Sequence, residues 1–232
     1  MEAKQRIRER IWRELEERGI TTFPKPVEGR IPNFQGSELA AERLCSQMVY
    51  RRAETVFVNP DSPQLPVREN VLRDRKRLIM ATPRLRQGFV EISGDVPKSA
   101  ASIRGALRFG RRIKPWQVQV DLLVEGSVAV DRFGGRLGKG GGFGDLEFAI
   151  LKEAGAITDE TPVATTVHEL QILDRVPMTE HDAPVDLVVT PRSVMEVERT
   201  YPKPKGILWN ILGTRMLEEI PLLRELKNRR LS

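Results

Sequence analysis

Six mainly apolar runs constrain the fold of this chain more than any other feature of its 232 residues. They lie at 54–59, 78–83, 87–93, 118–131, 162–168 and 186–191. Strands with Val, Ile and Leu at successive positions are usually buried on both faces, and their alternation with helices is typical of parallel sheets. The pattern therefore predicts the α/β class, as a three-layer α/β/α fold with a mostly parallel, Rossmann-like sheet.

The stretches around these runs carry helical patterns. Ile7, Ile11 and Leu15 recur every four residues and predict an amphipathic first helix that Gly19 ends. Ser37 is a plausible N-cap for a second helix. Further helices are predicted at 99–109, from 145 to about 154, and over 207–229 with Pro221 beginning a new helix. Since no linker or repeat interrupts the chain, residues 1–232 are predicted to form one domain.

Composition narrows the possible sites and partners. Cys45 is the only cysteine and His168 and His181 are the only histidines, which excludes an intrachain disulfide and a zinc site built on these residue types. A metal site with oxygen ligands stays open. No apolar stretch reaches the length of a membrane span and the start is charged, so a cytoplasmic protein without a membrane partner is expected.

The net charge of +6 admits two interpretations. Basic proteins attract phosphate-bearing partners, from ATP to RNA, but a modest excess of Lys and Arg also simply aids solubility. The basic clusters at 108–114 and 224–230 have the same two interpretations, of which a solvated surface is the commoner. The sequence does not determine the oligomeric state, and either a monomer or a homodimer is expected.

The most informative segment is rich in glycine. Seven of the 18 glycines lie between residues 134 and 144, after a predicted strand and before a predicted helix. Glycine lets backbone N–H groups approach a phosphate, and a helix N-terminus favours an anion. Because Gly140 follows Lys139, the segment is not a P-loop, and no G-x-G-x-x-G register fits. We therefore favour phosphate binding over the alternative, a flexible loop.

Two aspartates are candidate metal ligands. Asp145 follows the glycines, where it either caps the helix and interacts with its dipole or holds Mg²⁺ against phosphate oxygens. Asp182 lies in a compact polar segment before the last predicted strand. On spacing alone, an ordinary turn is the commoner role for that segment.

The segment Arg136-Leu-Gly-Lys-Gly-Gly-Gly-Phe-Gly-Asp145 resembles the RLGxGxGYYDR loop of 5-formyltetrahydrofolate cyclo-ligases, also called methenyltetrahydrofolate synthetases. Three other segments resemble family motifs in the expected order: 4–8, 120–124 and 181–190. Within the superfamily the chain is most similar to the methenyltetrahydrofolate synthetase domain-containing branch. The segments that carry this closer resemblance are 30–37, 58–61, 82–86, 126–130, 144–147 and 202–206.

The resemblance implies an ATP- and Mg²⁺-dependent ring closure of 5-formyltetrahydrofolate to 5,10-methenyltetrahydrofolate, with release of ADP and phosphate. It assigns catalysis to Arg136 and Asp145, Mg²⁺ binding to Asp145 and Asp182, and contact with the reduced folate to Phe143. The ATP-binding residues that it implies are Lys4, Arg8, Arg136, Gly138, Lys139, Gly140, Gly141, Gly142, Phe143, Gly144 and Asp145.

Some positions depart from the family pattern. Gly144 replaces the second tyrosine of the loop, Leu146 replaces an arginine, and the acidic substrate-binding residue has no clear counterpart near 63–64. Arg84 and Arg86 follow a strand and are candidates to bind an anionic substrate, or else they lie in a solvated loop. Two alternative functions stay open: a non-catalytic module that binds nucleotide or RNA, and ATP-dependent activation of a different small molecule.

Overall fold

The computed structural model describes residues 2–198 and 200–231. Its helices are α1 Glu2–Glu17, α2 Ser37–Cys45, α3 Met48–Arg52, α4 Leu65–Arg73, α5 Ile103–Phe109, α6 Phe143–Glu153, α7 Thr214–Glu219 and α8 Pro221–Leu231. Its strands are β1 Thr55–Val58, β2 Arg77–Ala81, β3 Phe89–Ile92, β4 Arg111–Ile113, β5 Leu122–Glu125, β6 Ala129–Asp131, β7 Arg136–Leu137, β8 Val163–Thr166, β9 Ile172–Leu173, β10 Leu187–Val189 and β11 Val194–Glu196.

An eight-stranded sheet forms the centre of the fold, in the order β11-β10-β8-β5-β1-β2-β3-β4. The five strands from β10 to β2 are parallel to one another. The three outer strands β3, β4 and β11 are antiparallel to their neighbours. A second, three-stranded sheet has the order β7-β6-β9. The prediction of a mostly parallel sheet in an α/β fold is confirmed.

Helices cover both faces of the large sheet, and its central strands are accordingly buried on both faces. Within β1, Val56 and Val58 pack in one buried cluster with side chains of α2 and α4, whereas Phe57 packs in another with side chains of α6 and α8. Burial of apolar surface on both faces is the main source of stability for such a layered fold. The three-layer arrangement follows from this alternation.

The order of the strands creates a crevice in the middle of the sheet. From β1 the chain moves to β2 on one side, and β5 joins β1 from the other side, with Val58 opposite Val124. The connections that leave β1 and β5 therefore diverge at the carboxyl edge of the sheet. In open α/β sheets, ligands bind in the crevice at such a point.

The first helix packs on the smaller sheet through an apolar stripe. Ile11, Trp12 and Leu15 are buried with Val128 and Leu137. This docking brings the amino-terminal turns of α1 to the segment that follows β7. The predicted amphipathic helix is confirmed, and its position explains how basic residues near the start of the chain reach the glycine segment.

Two local predictions were wrong. Gly36, with a φ of 86°, holds the N-cap position of α2, and Ser37 is the first helical residue with its hydroxyl directed to Glu38. Residues 207–213 are not helical, because the Glu153 carboxylate accepts hydrogen bonds from the backbone N–H of Ile207 and the indole of Trp209. The helix that begins at Pro221 is confirmed.

Candidate functional site

A cleft of about 1070 Å³ opens at the carboxyl edge of the large sheet. Its walls come from α1, the loop after β1, the turn between β7 and α6, and the segment before β10. Every residue that the sequence analysis placed in the site lines this cleft except Arg86, which is exposed outside it. The fold therefore brings together residues that lie as far apart in sequence as Lys4 and Asp182.

The glycine turn, residues 138–142, forms the outer wall of the cleft and leads directly into α6. Gly140 and Gly142 have φ values of 102° and 70°, which are left-handed conformations that favour glycine. The backbone N–H groups of residues 139–142 make no hydrogen bond within the described part of the chain. The first N–H groups of α6 add to them, because the start of a helix leaves its amides without intrahelical partners. The turn thus offers a row of donors at a helix N-terminus.

Basic side chains surround this turn. Arg8 donates from Nε to the carbonyl of Gly138 at 2.7 Å. Its guanidinium lies so close to Gly140 that a Cβ there would be 3.4 Å from Cζ. Burial lowers the pKa of Arg8, although Asp182 and Asp145 oppose this shift. Arg8 thus stands beside the row of amides as a partly buried cation.

Two further cations lie in or near the turn. Lys139 pairs with Asp61, with 2.6 Å between Nζ and Oδ1. The guanidinium of Arg84 lies over the ring of Phe143 at 5.8 Å, within the range of a cation–π contact. Phe143 and Arg84 therefore form one edge of the cleft.

Arg136 is buried, and each of its three guanidinium nitrogens donates to a protein acceptor. It donates from Nε to the Ala183 carbonyl at 3.1 Å, from Nη1 to the Gly126 carbonyl at 2.9 Å and from Nη2 to Asp145 Oδ1 at 2.5 Å. Burial disfavours its charge, but the carboxylates of Asp145 and Glu125 outweigh this and raise its pKa. In this geometry Arg136 positions Asp145, and its three hydrogen bonds hold the guanidinium against the protein.

The two predicted metal ligands lie in the cleft with basic partners. Asp182 Oδ2 accepts from Lys4, from the Thr179 amide and from its hydroxyl. Burial opposes ionisation of Asp182, but these donors prevail and lower its pKa. Asp145 Oδ2 has no hydrogen bond to any described residue. Among the described residues, no three His, Cys, Asp or Glu side chains form a metal-binding group.

Sequence analysis missed two buried carboxylates beneath the turn. Glu125 is fully buried at the end of β5, and neither of its carboxylate oxygens has a hydrogen-bond partner within residues 2–198 and 200–231. Burial raises its pKa to about 7, although Arg136, 3.9 Å away, opposes the shift. A Cβ on Gly144 would lie 3.1 Å from Glu125 Oε2. Glycine at position 144 therefore leaves room for this carboxylate under α6.

Glu147 is the second of these carboxylates. Its Oε2 accepts from Asn59 Nδ2 at 2.8 Å, while Asn59 Oδ1 accepts from the Gly126 amide at 2.7 Å. Burial, followed by the charges of Glu125 and Asp61, raises the pKa of Glu147 well above its usual value. The available signal in the sequence was a glutamate on the apolar face of α6, two residues after Asp145.

Comparison with known proteins decides the family. A family model described as the 5-formyltetrahydrofolate cyclo-ligase family matches residues 1–191. The chain belongs to the 5-formyltetrahydrofolate cyclo-ligase family. This membership confirms the resemblance that the glycine segment and its flanking motifs indicated.

Relatives named methenyltetrahydrofolate synthase domain-containing protein match almost the whole of this chain. The chain is 41% identical over 238 residues to the human protein of that name, with 98% of this chain and 62% of the relative covered. A zebrafish protein of the same name is 37% identical, with 97% and 62% covered. The chain thus spans about three fifths of the length of these curated relatives. An Escherichia coli 5-formyltetrahydrofolate cyclo-ligase is 35% identical over 78 residues, covering 34% of this chain and 40% of the relative.

A solved structure supports the cyclo-ligase fold. The 5,10-methenyltetrahydrofolate synthetase of Aquifex aeolicus superposes with a TM-score of 0.55 at 18% identity, covering 90% of this chain and 99% of that one. At this identity the likeness concerns the fold alone. Leu146 lies in α6, where the resemblance places an arginine in the cyclo-ligase loop, and its side chain is buried in the core.

In this cyclo-ligase family member, the basic clusters at 108–114 and 224–230 lie close to each other. Lys114 pairs with Glu225 at 2.5 Å, and the Arg229 guanidinium lies over the Trp116 ring at 4.4 Å. Arg230 lies 3.9 Å from Glu153. Several of these charges thus contact neighbouring protein groups.

No helix within the described residues is long and apolar enough to cross a membrane.

Proposed function

We propose that this protein closes the ring of 5-formyltetrahydrofolate in an ATP- and Mg²⁺-dependent reaction, giving 5,10-methenyltetrahydrofolate, ADP and phosphate. The observation that carries the proposal is the row of amides at 139–142, which have no hydrogen-bond partner among the described residues and line the cleft of a cyclo-ligase family member. Such amides at a helix N-terminus are suited to phosphate oxygens.

The reaction consists of two transfers. The formyl oxygen attacks the γ-phosphoryl group of ATP, and ADP leaves. N10 of the folate then attacks the activated formyl carbon, N10 loses its proton, and phosphate leaves with the former formyl oxygen. Phosphoryl transfer depends mainly on positioning and on neutralisation of charge, so the contribution expected of this chain is a rigid, donor-rich cradle.

The charges of the cleft support the proposed metal requirement. Lys4, Lys139 and Arg136 are each paired with a carboxylate, so they offer little net positive charge to a triphosphate. Mg²⁺ is commonly held by one or two carboxylates together with substrate phosphates, whose charge it neutralises during transfer. Asp145 fits such a site, because Arg136 and the Ala183 amide hold Oδ1, whereas Oδ2 accepts no hydrogen bond within the described residues. Asp182 offers a similar arrangement, since Lys4 and Thr179 occupy its Oδ2 and its Oδ1 accepts no hydrogen bond from the described part of the chain.

Substrate contact is assigned to the edge formed by Phe143 and Arg84. The ring of Phe143 offers an apolar surface to a flat substrate, and the exposed guanidinium of Arg84 offers charge to a carboxylate. Arg86 lies outside the cleft lining, so it has no part in this proposal.

The test is a turnover assay with ATP, Mg²⁺ and 5-formyltetrahydrofolate, followed by absorbance of the methenyl product. Wild type is expected to turn over, and chelation of Mg²⁺ is expected to stop it. Asp145→Asn keeps the shape but removes the charge, so turnover is expected to fall by about 100-fold or more. Asp95→Asn, an exposed residue outside this cleft, is the matched control and should retain activity. A folded wild type that binds both substrates without forming product would refute the proposal.

A further inference from the structure

The turn that carries Arg84, residues 82–88, has a strained backbone. Arg84 and Leu85 are consecutive residues with φ values of 56° and 55°, a left-handed conformation that residues other than glycine rarely adopt. Such a conformation persists only where the surrounding structure holds it in place. Because the exposed guanidinium of Arg84 lies over Phe143 at the edge of the cleft, the strain lies where substrate contact is proposed.

Hydrogen bonds close this turn. The buried hydroxyl of Thr82 donates to the Gly88 carbonyl at 2.9 Å and accepts from the Gln87 amide at 3.0 Å. The Leu85 amide donates to the Thr82 carbonyl at 2.7 Å, and the Gly88 amide donates to the Leu85 carbonyl at 3.0 Å. All of these bonds join residues of the turn to one another, so support from the rest of the protein must come from packing.

The packing comes from α8 and from the residue before it. Leu85 is fully buried in the same apolar cluster as Ile220, Leu222 and Leu223. A Cβ on Gly88 would lie 3.7 Å from Leu222 Cδ2, an ordinary van der Waals distance. Leu222 therefore lies against the backbone of the turn.

Charges bring α7 to the same turn. Glu219, the last residue of α7, accepts from Arg215 Nε at 2.6 Å. This hydrogen bond and the nearby charges of Arg215, Arg84 and Arg86 lower the pKa of Glu219. The carboxylate of Glu219 thus lies within electrostatic reach of both arginines of the turn.

Neither α7 nor α8 belongs to the part of the chain that the family model matches, which is 1–191. Contacts outside the turn hold α8 in place: Lys114 pairs with Glu225, and the Arg229 guanidinium lies over the Trp116 ring. The support for a residue of the cleft therefore comes from a segment outside the matched region.

We propose that α7 and α8 position Arg84 at the cleft, and that Leu222 is the positioning residue that keeps the 82–88 turn in its left-handed conformation. The effect on substrate binding rests on the proposed function, in which Arg84 contacts the substrate. Without the Leu222 side chain, Arg84 and Leu85 relax toward the right-handed conformations that ordinary residues prefer, and the guanidinium leaves the Phe143 ring.

Amide hydrogen exchange of the ligand-free protein tests the proposal first. In Leu222→Ala, the amides of Leu85, Gln87 and Gly88 should exchange at least about tenfold faster than in wild type, because the turn opens locally more often. Leu222→Met keeps the volume of the side chain and should restore the wild-type exchange.

Leu226→Ala is the matched control for loss of structure. It removes a leucine of the same 4% exposure from the same cluster, one turn further along α8. Exchange of the three turn amides should stay within about threefold of wild type in this variant. If Leu222→Ala does not fold, Leu222→Val takes its place, with the same changes to a smaller extent.

Steady-state kinetics with 5-formyltetrahydrofolate give a second readout. In Leu222→Ala, KM should rise about fivefold or more while kcat stays within about twofold, since the lost positioning removes binding and not chemistry. Leu226→Ala should leave KM within about twofold of wild type. A merely structural role would lower the amount of folded enzyme in both variants and leave KM unchanged.

The outcomes separate this inference from the proposed function. Equal exchange of the turn amides in Leu222→Ala and Leu226→Ala overturns the positioning role, even if wild type forms the methenyl product. Faster exchange in Leu222→Ala with an unchanged KM overturns it as well. If wild type forms no product, the cyclo-ligase proposal fails, and the exchange data alone decide whether α8 holds the turn.

Discussion

The two ends of the cleft have opposite hydrogen-bonding character. The glycine turn is exposed at 139–142 and offers backbone donors, whereas the inner wall, which is formed by Asp61 and Glu147, lies deeper and offers side-chain oxygens. A ligand or a pair of ligands that fits both must have an anionic end and a donor end. The phosphates of ATP meet the first of these requirements, so the comparison supports the proposed nucleotide site.

The two ends of the cleft also differ in the interactions that fix their structure. The turn is shaped by its glycine conformations and by its contact with Arg8. Substitutions in the turn should therefore mainly affect the local backbone and ligand binding. The region behind this inner wall contains ionisable groups that depend on one another: the buried Glu125 and Arg136 and the half-buried Asp145. Substitutions there should change the free energy of unfolding as well as function. The predictions below follow from this difference, from the largest expected effect to the smallest.

Arg136→Met should destabilise the protein most. The change removes the cation that faces Glu125 and Asp145 and leaves their carboxylates without it in a buried site. Breaking a buried pair in this way typically costs about 3–5 kcal/mol. Urea unfolding measures the loss, and Arg10→Met on the exposed face of α1 should change stability by less than about 0.5 kcal/mol. A stable but inactive Arg136→Met protein would instead make Arg136 a direct ligand of the phosphates.

Glu125→Gln should change how stability depends on pH. Because the folded pKa of about 7 lies above the ordinary 4.5, the folded state of wild type holds a proton that the unfolded state has lost between these values. Wild type therefore loses stability as pH rises from 4.5 to 7, by up to about 3 kcal/mol. The glutamine variant lacks this loss.

Urea unfolding of wild type and Glu125→Gln at several pH values tests this difference. The stability of the variant relative to wild type is expected to increase steadily across that range and to level off above pH 7. A difference that stays constant with pH would mean that Glu125 does not titrate as its burial predicts.

Gly142→Ala should have the smallest of these effects on stability. The position has a φ of 70°, but no atom lies within 4 Å of the added Cβ, so only backbone strain opposes the change. This strain costs about 1–2 kcal/mol. Gly213→Ala is the matched control, since that glycine also has open space around it and a φ of −62°. Thermal unfolding should show a lower Tm for the first variant and little change for the second.

The glycine turn was predictable because its signal is local. Seven glycines within eleven positions, after an apolar run and before a helical pattern, indicate the turn without any tertiary information. The central strands were predictable for the same reason, since their burial on both faces appears as continuous apolar runs. Of the strand pair β6 and β7, only β6 was predicted from the sequence, because β7 has two residues and lies within the glycine-rich segment.

The buried region behind the inner wall of the cleft could not be predicted in the same way. Asn59, Glu125 and Glu147 meet only because β1 and β5 are neighbours in the sheet and α6 packs over them. No spacing in the sequence encodes that meeting. The false helix at 207–213 has a similar origin, since a distant carboxylate, Glu153, holds those residues in another conformation.

The central claim is that the amides of the glycine turn hold the phosphates of ATP. Backbone ¹⁵N–¹H spectra of the protein, titrated with a non-hydrolysable ATP analogue and Mg²⁺, test it directly. The account predicts that the largest saturable shifts belong to residues 138–145, with a smaller response at Asn59, Asp61 and Gln64. Saturable binding whose shifts lie elsewhere, with the amides of 138–145 unmoved, would contradict it.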